Sequence, residues 1–318
     1  MKKLKFLLPI FLVVFAFTAC DDNDDPAVLE VQTIADLAAA SPNLSNLAAA
    51  LQRADLVSVL EGNGPFTVLA PTNDAFAAFL AANEFDSLED VPVDVLTQVL
   101  LNHVIAGSFE STQLSTGYAS TSATSAASGT AMSIYIDTSD GVTFNGVSTV
   151  STANINADNG VIHIVDAVIG LPTVVDFALA DPNFSTLVAA LTRDDLTTDF
   201  VSILSTSTGT APAPFTVFAP INDAFGDLLE ELDLMMLSQI DEPTLNATLT
   251  YHVVGGLNVL ASGLSDNFTV PTLGGDITAN VTGGPTLTDS NGRVSDIIAT
   301  NVQANNGVIH AINKVILP

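Results

Sequence analysis

Four histidines, one cysteine and two Asn-Asp pairs are the residues of this chain whose types and spacing invite chemistry. His103, His163, His252 and His310 are the imidazoles, and zinc is the metal that four imidazoles bring to mind. The spacing argues against it. His103 follows Leu96 by seven residues, on the stripe of Val99 and Leu100, and His252 shares a face with Leu245 and Leu249; a histidine on an apolar helix face hydrogen-bonds inside a core. His163 and His310 lie in runs that are apolar on both faces, the mark of buried strands. Two imidazoles per half of the chain, without a cysteine or third ligand beside them, make a poor zinc site. Four structural histidines are expected, with no metal and no cofactor.

Asn73-Asp74 and Asn222-Asp223 read either as a carboxylate beside an amide or as helix-capping and turn-bonding residues, and the second reading requires less. Among 35 acidic residues, pairs at a glycosidase separation are conceivable, but spacing along the chain does not reveal that distance. A nucleophile motif, a Gly-rich phosphate loop and a zinc-protease helix are all missing from the sequence. The expected function is therefore non-enzymatic, with a carboxylate-based glycan hydrolase kept as a minor alternative.

Cys20 has a different context. A basic start, Met1-Lys2-Lys3-Leu4-Lys5, runs into an apolar stretch from Phe6 to Phe17 that is too short to span a bilayer, then into Thr18-Ala19-Cys20. Residues 1–19 read as a secretory signal peptide. The small residues before Cys20 resemble the cleavage box of bacterial lipoproteins, and a single cysteine in an exported chain has no internal disulfide partner. The expectation is a lipidated Cys20 that anchors the chain to the outer membrane, exposed at the cell surface.

Residues 20–29 continue as an acidic tether, Asp21-Asp22-Asn23-Asp24-Asp25-Pro26, which resembles the acidic tracts of surface-exported lipoproteins in Bacteroidetes-type bacteria. As a calcium loop this run lacks the glycine and the distal glutamate. Without residues 1–19 the chain has four bases against 35 acids, a net charge of −31. Nucleic acid is excluded as a partner on that balance, whereas divalent cations are a conceivable one.

The chain also repeats itself. Thr33-Ile34-Ala35-Asp36-Leu37 returns as Thr173-Val174-Val175-Asp176-Phe177, an offset of 140 residues. Phe66-Thr67-Val68-Leu69-Ala70-Pro71 returns as Phe215-Thr216-Val217-Phe218-Ala219-Pro220, offset by 149. The difference places a loop insertion in the Ser-, Thr- and Pro-rich stretch 205–214. Asn159-Gly160-Val161-Ile162-His163 returns as Asn306-Gly307-Val308-Ile309-His310, and the copies close at Leu171-Pro172 and Leu317-Pro318. Two domains follow, 30–172 and 173–318.

Each copy mixes two periodicities. Leu44, Leu47, Ala48 and Leu51, like Phe184, Leu187, Val188 and Leu191, have helical spacing. A strand then reaches Pro71 or Pro220. Thr72 or Asn73 is placed to cap the helix carrying Phe76, Phe79 and Leu80; in the second copy Ile221 replaces Thr72 and leaves the cap to Asn222. Another helix is expected near Val93–Ile105, and near Leu245–Val254 in the second copy. The last third reads as antiparallel strands, Met132–Ile136, Val142–Asn145 and Val161–Ile169, with Ser111–Ala131 an exposed loop or edge-strand flank. Helices first and strands last define an α+β domain with a curled sheet or sandwich.

The strand box Phe66 to Phe76, the helix ending in Asn102-His103-Val104 and the terminal strand Asn159 to Asp166, each present twice in the same order, resemble the fasciclin domain family over nearly all of residues 30–318. The resemblance implies two tandem domains, each a compact β-sandwich wedge with packed helices, of the kind found in secreted or anchored adhesion and matrix proteins. Partners of that kind are a cell-surface or matrix protein or a polysaccharide. The resemblance also implies a partner-binding role for the pair Tyr251-His252; the first copy departs, with Asn102-His103. A periplasmic or surface module that binds a small ligand or lipid stays open beside the adhesive reading.

Overall fold

The computed structural model describes residues 32–318. The signal peptide, Cys20 and the acidic tether lie outside the described residues.

The first half begins with helix α1 (Ile34–Ala40), set by a capping box in which the Thr33 hydroxyl accepts the Asp36 amide and the Asp36 carboxylate accepts the Thr33 amide. Helices α2 (Ser45–Arg53) and α3 (Val57–Leu60) follow, then strand β1 (Phe66–Pro71), helices α4 (Asn73–Ala82) and α5 (Val93–Asn102), and strands β2 (Val104–Ala106), β3 (Gly117–Thr124), β4 (Ala131–Asp137), β5 (Thr143–Phe144), β6 (Ser148–Ala157) and β7 (Gly160–Val165). The second half repeats the order: α6 (Val174–Ala180), α7 (Ser185–Leu191), α8 (Phe200–Leu204), β8 (Phe215–Pro220), α9 (Asn222–Glu231), α10 (Glu242–Tyr251), β9 (Val253–Gly255), β10 (Phe268–Thr272), β11 (Gly275–Asn280), β12 (Thr286–Thr288), β13 (Val294–Gln303) and β14 (Gly307–Ile312).

Each half holds a seven-stranded sheet, in the order β2-β1-β7-β6-β5-β4-β3 and β10-β11-β12-β13-β14-β8-β9. The strands of the last third pair antiparallel, as their turn signals require. The first and last strands of each copy, however, pair parallel: β1 runs beside β7 with Phe66 opposite Gly160 and Pro71 opposite Val165, and β8 beside β14 in the same register. A parallel pair needs a long crossover, and here almost the whole domain supplies it. The sheet is thus mixed, and the end strands β2 and β3 approach each other, as do β9 and β10, so each sheet curls.

Curling creates two cores per domain. Val68 of β1 and Ile162 of β7 face the helices and pack with Leu47, Leu51, Phe76 and Leu96. The next residue of β1, Leu69, points into the curl with Ile105, Ile134, Phe144 and Val165. In the second half Val217 and Ile309 face the helices, while Phe218 and Ile312 fill the curl. The period-two alternation of a strand therefore buries both faces, which is why these runs are apolar throughout.

Several element boundaries differ from the sequence-based expectation. Helix α5 stops at Asn102, and after His103 the chain forms β2 at Val104–Ala106. Helix α10 begins earlier than expected, at Glu242, because the Asp241 carboxylate accepts the Thr244 amide as an N-cap. The inserted residues of the second copy form two groups. Structurally matched Leu60 and Leu204 stand 144 residues apart and the cis prolines Pro65 and Pro214 stand 149 apart, so four extra residues precede Leu204 and five follow it.

Ser111–Ala131, expected as an exposed loop or edge-strand flank, contains edge strand β3, and the turn that follows it docks on the second half. Ser125 donates its hydroxyl to the Ala304 carbonyl at 2.6 Å, the Ala126 amide meets the Asn305 side chain at 3.1 Å, and the Ser133 hydroxyl accepts the Gln303 amide at 2.9 Å. Tyr118 packs edge-on against Phe177, with centroids 5.6 Å apart, and its phenol donates to Asp181 at 3.1 Å. Gln32–Pro318 accordingly forms one compact unit.

Candidate functional site

The residues singled out from the sequence are drawn into the joints between elements. His103 closes α5: its Nδ1–H donates to the Val99 carbonyl at 2.7 Å, and its Nε2 accepts the Ile169 amide at 2.9 Å. His252 does the same for α10, with the Thr248 carbonyl at 2.7 Å and the Ile316 amide at 3.2 Å. Both rings are buried, and burial pushes each pKa down to about 4, partly offset by the bond to the helix carbonyl. They are neutral imidazoles whose two nitrogens are both engaged by backbone.

His163 bridges strands in the same manner, accepting the Asn154 amide on Nδ1 at 3.3 Å and donating from Nε2 to the Phe109 carbonyl at 2.9 Å. His310 donates from Nε2 to the Val259 carbonyl at 2.9 Å and stacks on Phe218, while its buried Nδ1 has no partner. Among the described residues no group of three or more His, Cys, Asp or Glu is arranged to hold a metal ion.

The pair expected to meet a partner, Tyr251 and His252, is 1% and 3% exposed, and His103 is 2% exposed. The Tyr251 hydroxyl donates to the Asp276 carbonyl at 2.7 Å and accepts the Ser290 amide at 3.2 Å. None of these side chains offers a surface to another molecule; what they contribute to any contact is the placement of the strands they tie. The physical reason lies in the register of α5 and α10, whose last turn faces the interior where the chain turns into β2 or β9.

Asn73 and Asn222 do not cap their own helices. The Asn73 carboxamide accepts the Asn46 amide at 2.9 Å and donates to the Pro42 carbonyl at 2.9 Å, clasping the start of α2. Asn222 repeats this on Thr186 and Pro182 at the start of α7. Thr72 is the cap of α4, and Ile221 leaves α9 without a side-chain cap. Asp74 and Asp223 are exposed in the first turns of α4 and α9, where a carboxylate complements the helix dipole.

Two further residues carry as much of the architecture. Asn159 accepts the Ile34 amide at 2.9 Å and donates to the Leu60 and Gly62 carbonyls at 2.6 and 2.8 Å. Asn306 repeats all three bonds with Val174, Leu204 and Thr206. Their place in the repeated box was the available signal, although an Asn-Gly pair reads locally as a turn. Gly160 and Gly307 beside them are required by close approach: a Cβ there would stand 2.0 and 2.4 Å from the Phe66 and Phe215 carbonyl oxygens.

Among the described residues the electrostatics are those of an acidic surface whose four cations, Arg53, Arg193, Arg293 and Lys314, are already engaged. Arg53 donates to the carbonyls of Leu88, Glu89 and Val91, and Arg193 to those of Leu237 and Ile240 and to Asp195. Arg293 and Lys314 share Glu231. Six carboxyls, five of them exposed and Asp137 half-buried, are held below their ordinary pKa. The chief cause is a hydrogen bond: from the Thr33 hydroxyl to Asp36, the Ser139 amide to Asp137, the Arg193 guanidinium to Asp195, the Ser202 hydroxyl to Asp199, the Thr244 amide to Asp241 and the Thr282 hydroxyl to Asp266.

Twin curled sheets capped by helices and tied by buried backbone-bonding side chains define a paired structural module. A family model described as the fasciclin domain matches residues 42–172 and again 182–318. The chain belongs to the fasciclin domain family. It is 39% identical over 137 residues to protein sll1483 of Synechocystis sp., a match spanning 43% of this chain and 72% of that protein. It is 29% identical over 233 residues to human periostin, covering 73% of this chain and 25% of periostin. The FAS1 domain pair from the insect cell adhesion molecule fasciclin I superimposes with a TM-score of 0.53 at 20% identity, covering 87% of this chain and 97% of that one. The fold of the pair is thus shared.

Proposed function

We propose that the chain is a non-enzymatic, lipid-anchored adhesion or matrix-binding protein of the outer cell surface. The observation that supports this most is the fasciclin domain pair itself, which accounts for nearly all of residues 32–318 and has the fold of a pair taken from a cell adhesion molecule. Attachment is assigned to a lipid on Cys20, after the small residues Thr18 and Ala19, with residues 21–26 as a spacer. A net charge of −28 directs the partner toward neutral or cationic surfaces, such as an uncharged polysaccharide or a basic matrix protein. Divalent cations are proposed as bridges between such acidic molecules.

Protease shaving of intact cells, with membrane fractionation of a Cys20→Ala form, tests the placement. Loss of the native protein from intact cells and release of Cys20→Ala from the membrane are expected. Attachment of a deletion strain to a matrix-coated surface tests the role, and attachment equal to that of the parent would overturn it.

A further inference from the structure

The helical side of the second domain is not filled. Between α6, α7, α8 and the outer face of β8 and β14 lies a cavity of about 210 Å³. Its walls include Ala178, Leu187, Leu191, Leu204, Val217 and Ile309, and twelve of its thirteen lining residues are aliphatic. The thirteenth, Thr192, donates its hydroxyl to the Val188 carbonyl at 2.8 Å, so the cavity offers no free donor. It reaches the surface, since Leu179 and Val201 in its lining are 63% and 38% exposed.

Close-packed interiors keep few voids larger than a water molecule. An aliphatic cavity of roughly 150 Å³ is already dry and accepts a small apolar guest. This one is larger, open at one end, and stands where the second copy departs from the first. Leu191 and Thr192 line it before the four extra residues and Val201 and Leu204 line it after them. Leu56 of the first domain is buried, whereas its counterpart Leu196 is only partly so.

We propose that this cavity is a binding site for one end of an uncharged long-chain aliphatic molecule. Its size admits only part of such a chain, because a complete drug-sized ligand fills roughly 300 Å³ or more. The neighbouring cation, Arg193, is occupied by the Leu237 and Ile240 carbonyls and by Asp195, so a carboxylate or phosphate at the mouth meets no partner and faces the acidic surface. A neutral head group in water at the mouth, with hydrocarbon inside, is the arrangement that leaves nothing unpaired.

Binding of 1-decanol and of decanoate to the full chain carrying Cys20→Ala, followed by calorimetry and by methyl NMR, tests this. One 1-decanol per chain is expected, with shifts confined to methyl groups such as those of Leu187, Leu191 and Ile309, and decanoate weaker by about tenfold or more. Ala178→Leu, which occupies the cavity, and Leu179→Glu, which puts a charge on its rim, are each expected to weaken 1-decanol by about tenfold or more. Leu179 is exposed enough that its variant folds even where the interior variant does not. No saturable binding of 1-decanol, equal affinity for decanoate, or binding undiminished in both variants would overturn the proposal.

Discussion

His103 and His252 are each held neutral by burial, with a pKa near 4 against about 6.5 in an unfolded chain. Protons therefore bind the unfolded chain first as pH falls. Stability is fully present above about pH 6.5 and is lost as pH drops toward about 4, by on the order of 3 kcal/mol per histidine. Urea unfolding at stepped pH measures the slope, and a His252→Phe form is expected to lose its share of it, the remainder staying with His103 and with His310, whose pKa burial also lowers; an unchanged slope would refute the assignment. The apolar stripes around these residues were legible in the sequence. That His103 bonds an amide 66 residues away, and that Tyr251 turns inward to Asp276, were not, because hydrogen-bond partners across a fold leave no mark in local spacing.

The parallel pair β1–β7 depends on a residue with no side chain. Gly160 has φ +155°, and a Cβ there would stand 2.0 Å from the Phe66 carbonyl oxygen, a backbone atom that cannot swing aside. Gly160→Ala is expected to destabilise the first domain by on the order of 3 kcal/mol. Gly129→Ala, at φ +69° with open space around it, should cost only about 1 kcal/mol. Urea midpoints of the two variants, compared with the parent, decide it; equal losses would remove the close-approach argument. The strands themselves were recognisable from alternation and turn signals. Which two of them run parallel was not, since a strand's pattern records whether its faces are buried but not the direction of its neighbour.

At the scale of the whole molecule the pair is joined by Tyr118 and Tyr135, which pack with the core of the second half, and by polar contacts of modest reach. Gln303 is the hub: the two hydrogens of its carboxamide are shared among Ser125 Oγ, Asn258 Oδ1 and the Ala304 and Gly307 carbonyls, all within 3.1 Å, and it is 2% exposed. Gln303→Ala removes this buried amide while the Ala304 carbonyl keeps the Ser125 hydroxyl and the Gly307 carbonyl keeps the Ala304 amide, and a loss of about 1 to 2 kcal/mol is expected. Scanning calorimetry should then show two unfolding transitions where the parent shows one. A single unshifted transition would mean that the domains do not support each other through this contact. Sequence composition led to reading Ser111–Ala131 as an exposed loop or edge-strand flank; that the turn at Ser125 docks on the second half was not legible, because small polar residues look alike whether they face water or a polar interface.

The sequence by itself determined the repeat, the α+β class, the amphipathic helices and the family resemblance, since each is carried by periodicity or by residues in a fixed order along the chain. Only the tertiary structure decided the rest. It closed each sheet through a parallel first and last strand and turned Tyr251, His252 and His103 inward. It also sent Asn73 and Asn222 to neighbouring helices, docked the domains through Gln303 and left a cavity beside the inserted residues. Each of these depends on groups that meet across tens to hundreds of residues, where packing and hydrogen-bond satisfaction act on the folded chain as a whole.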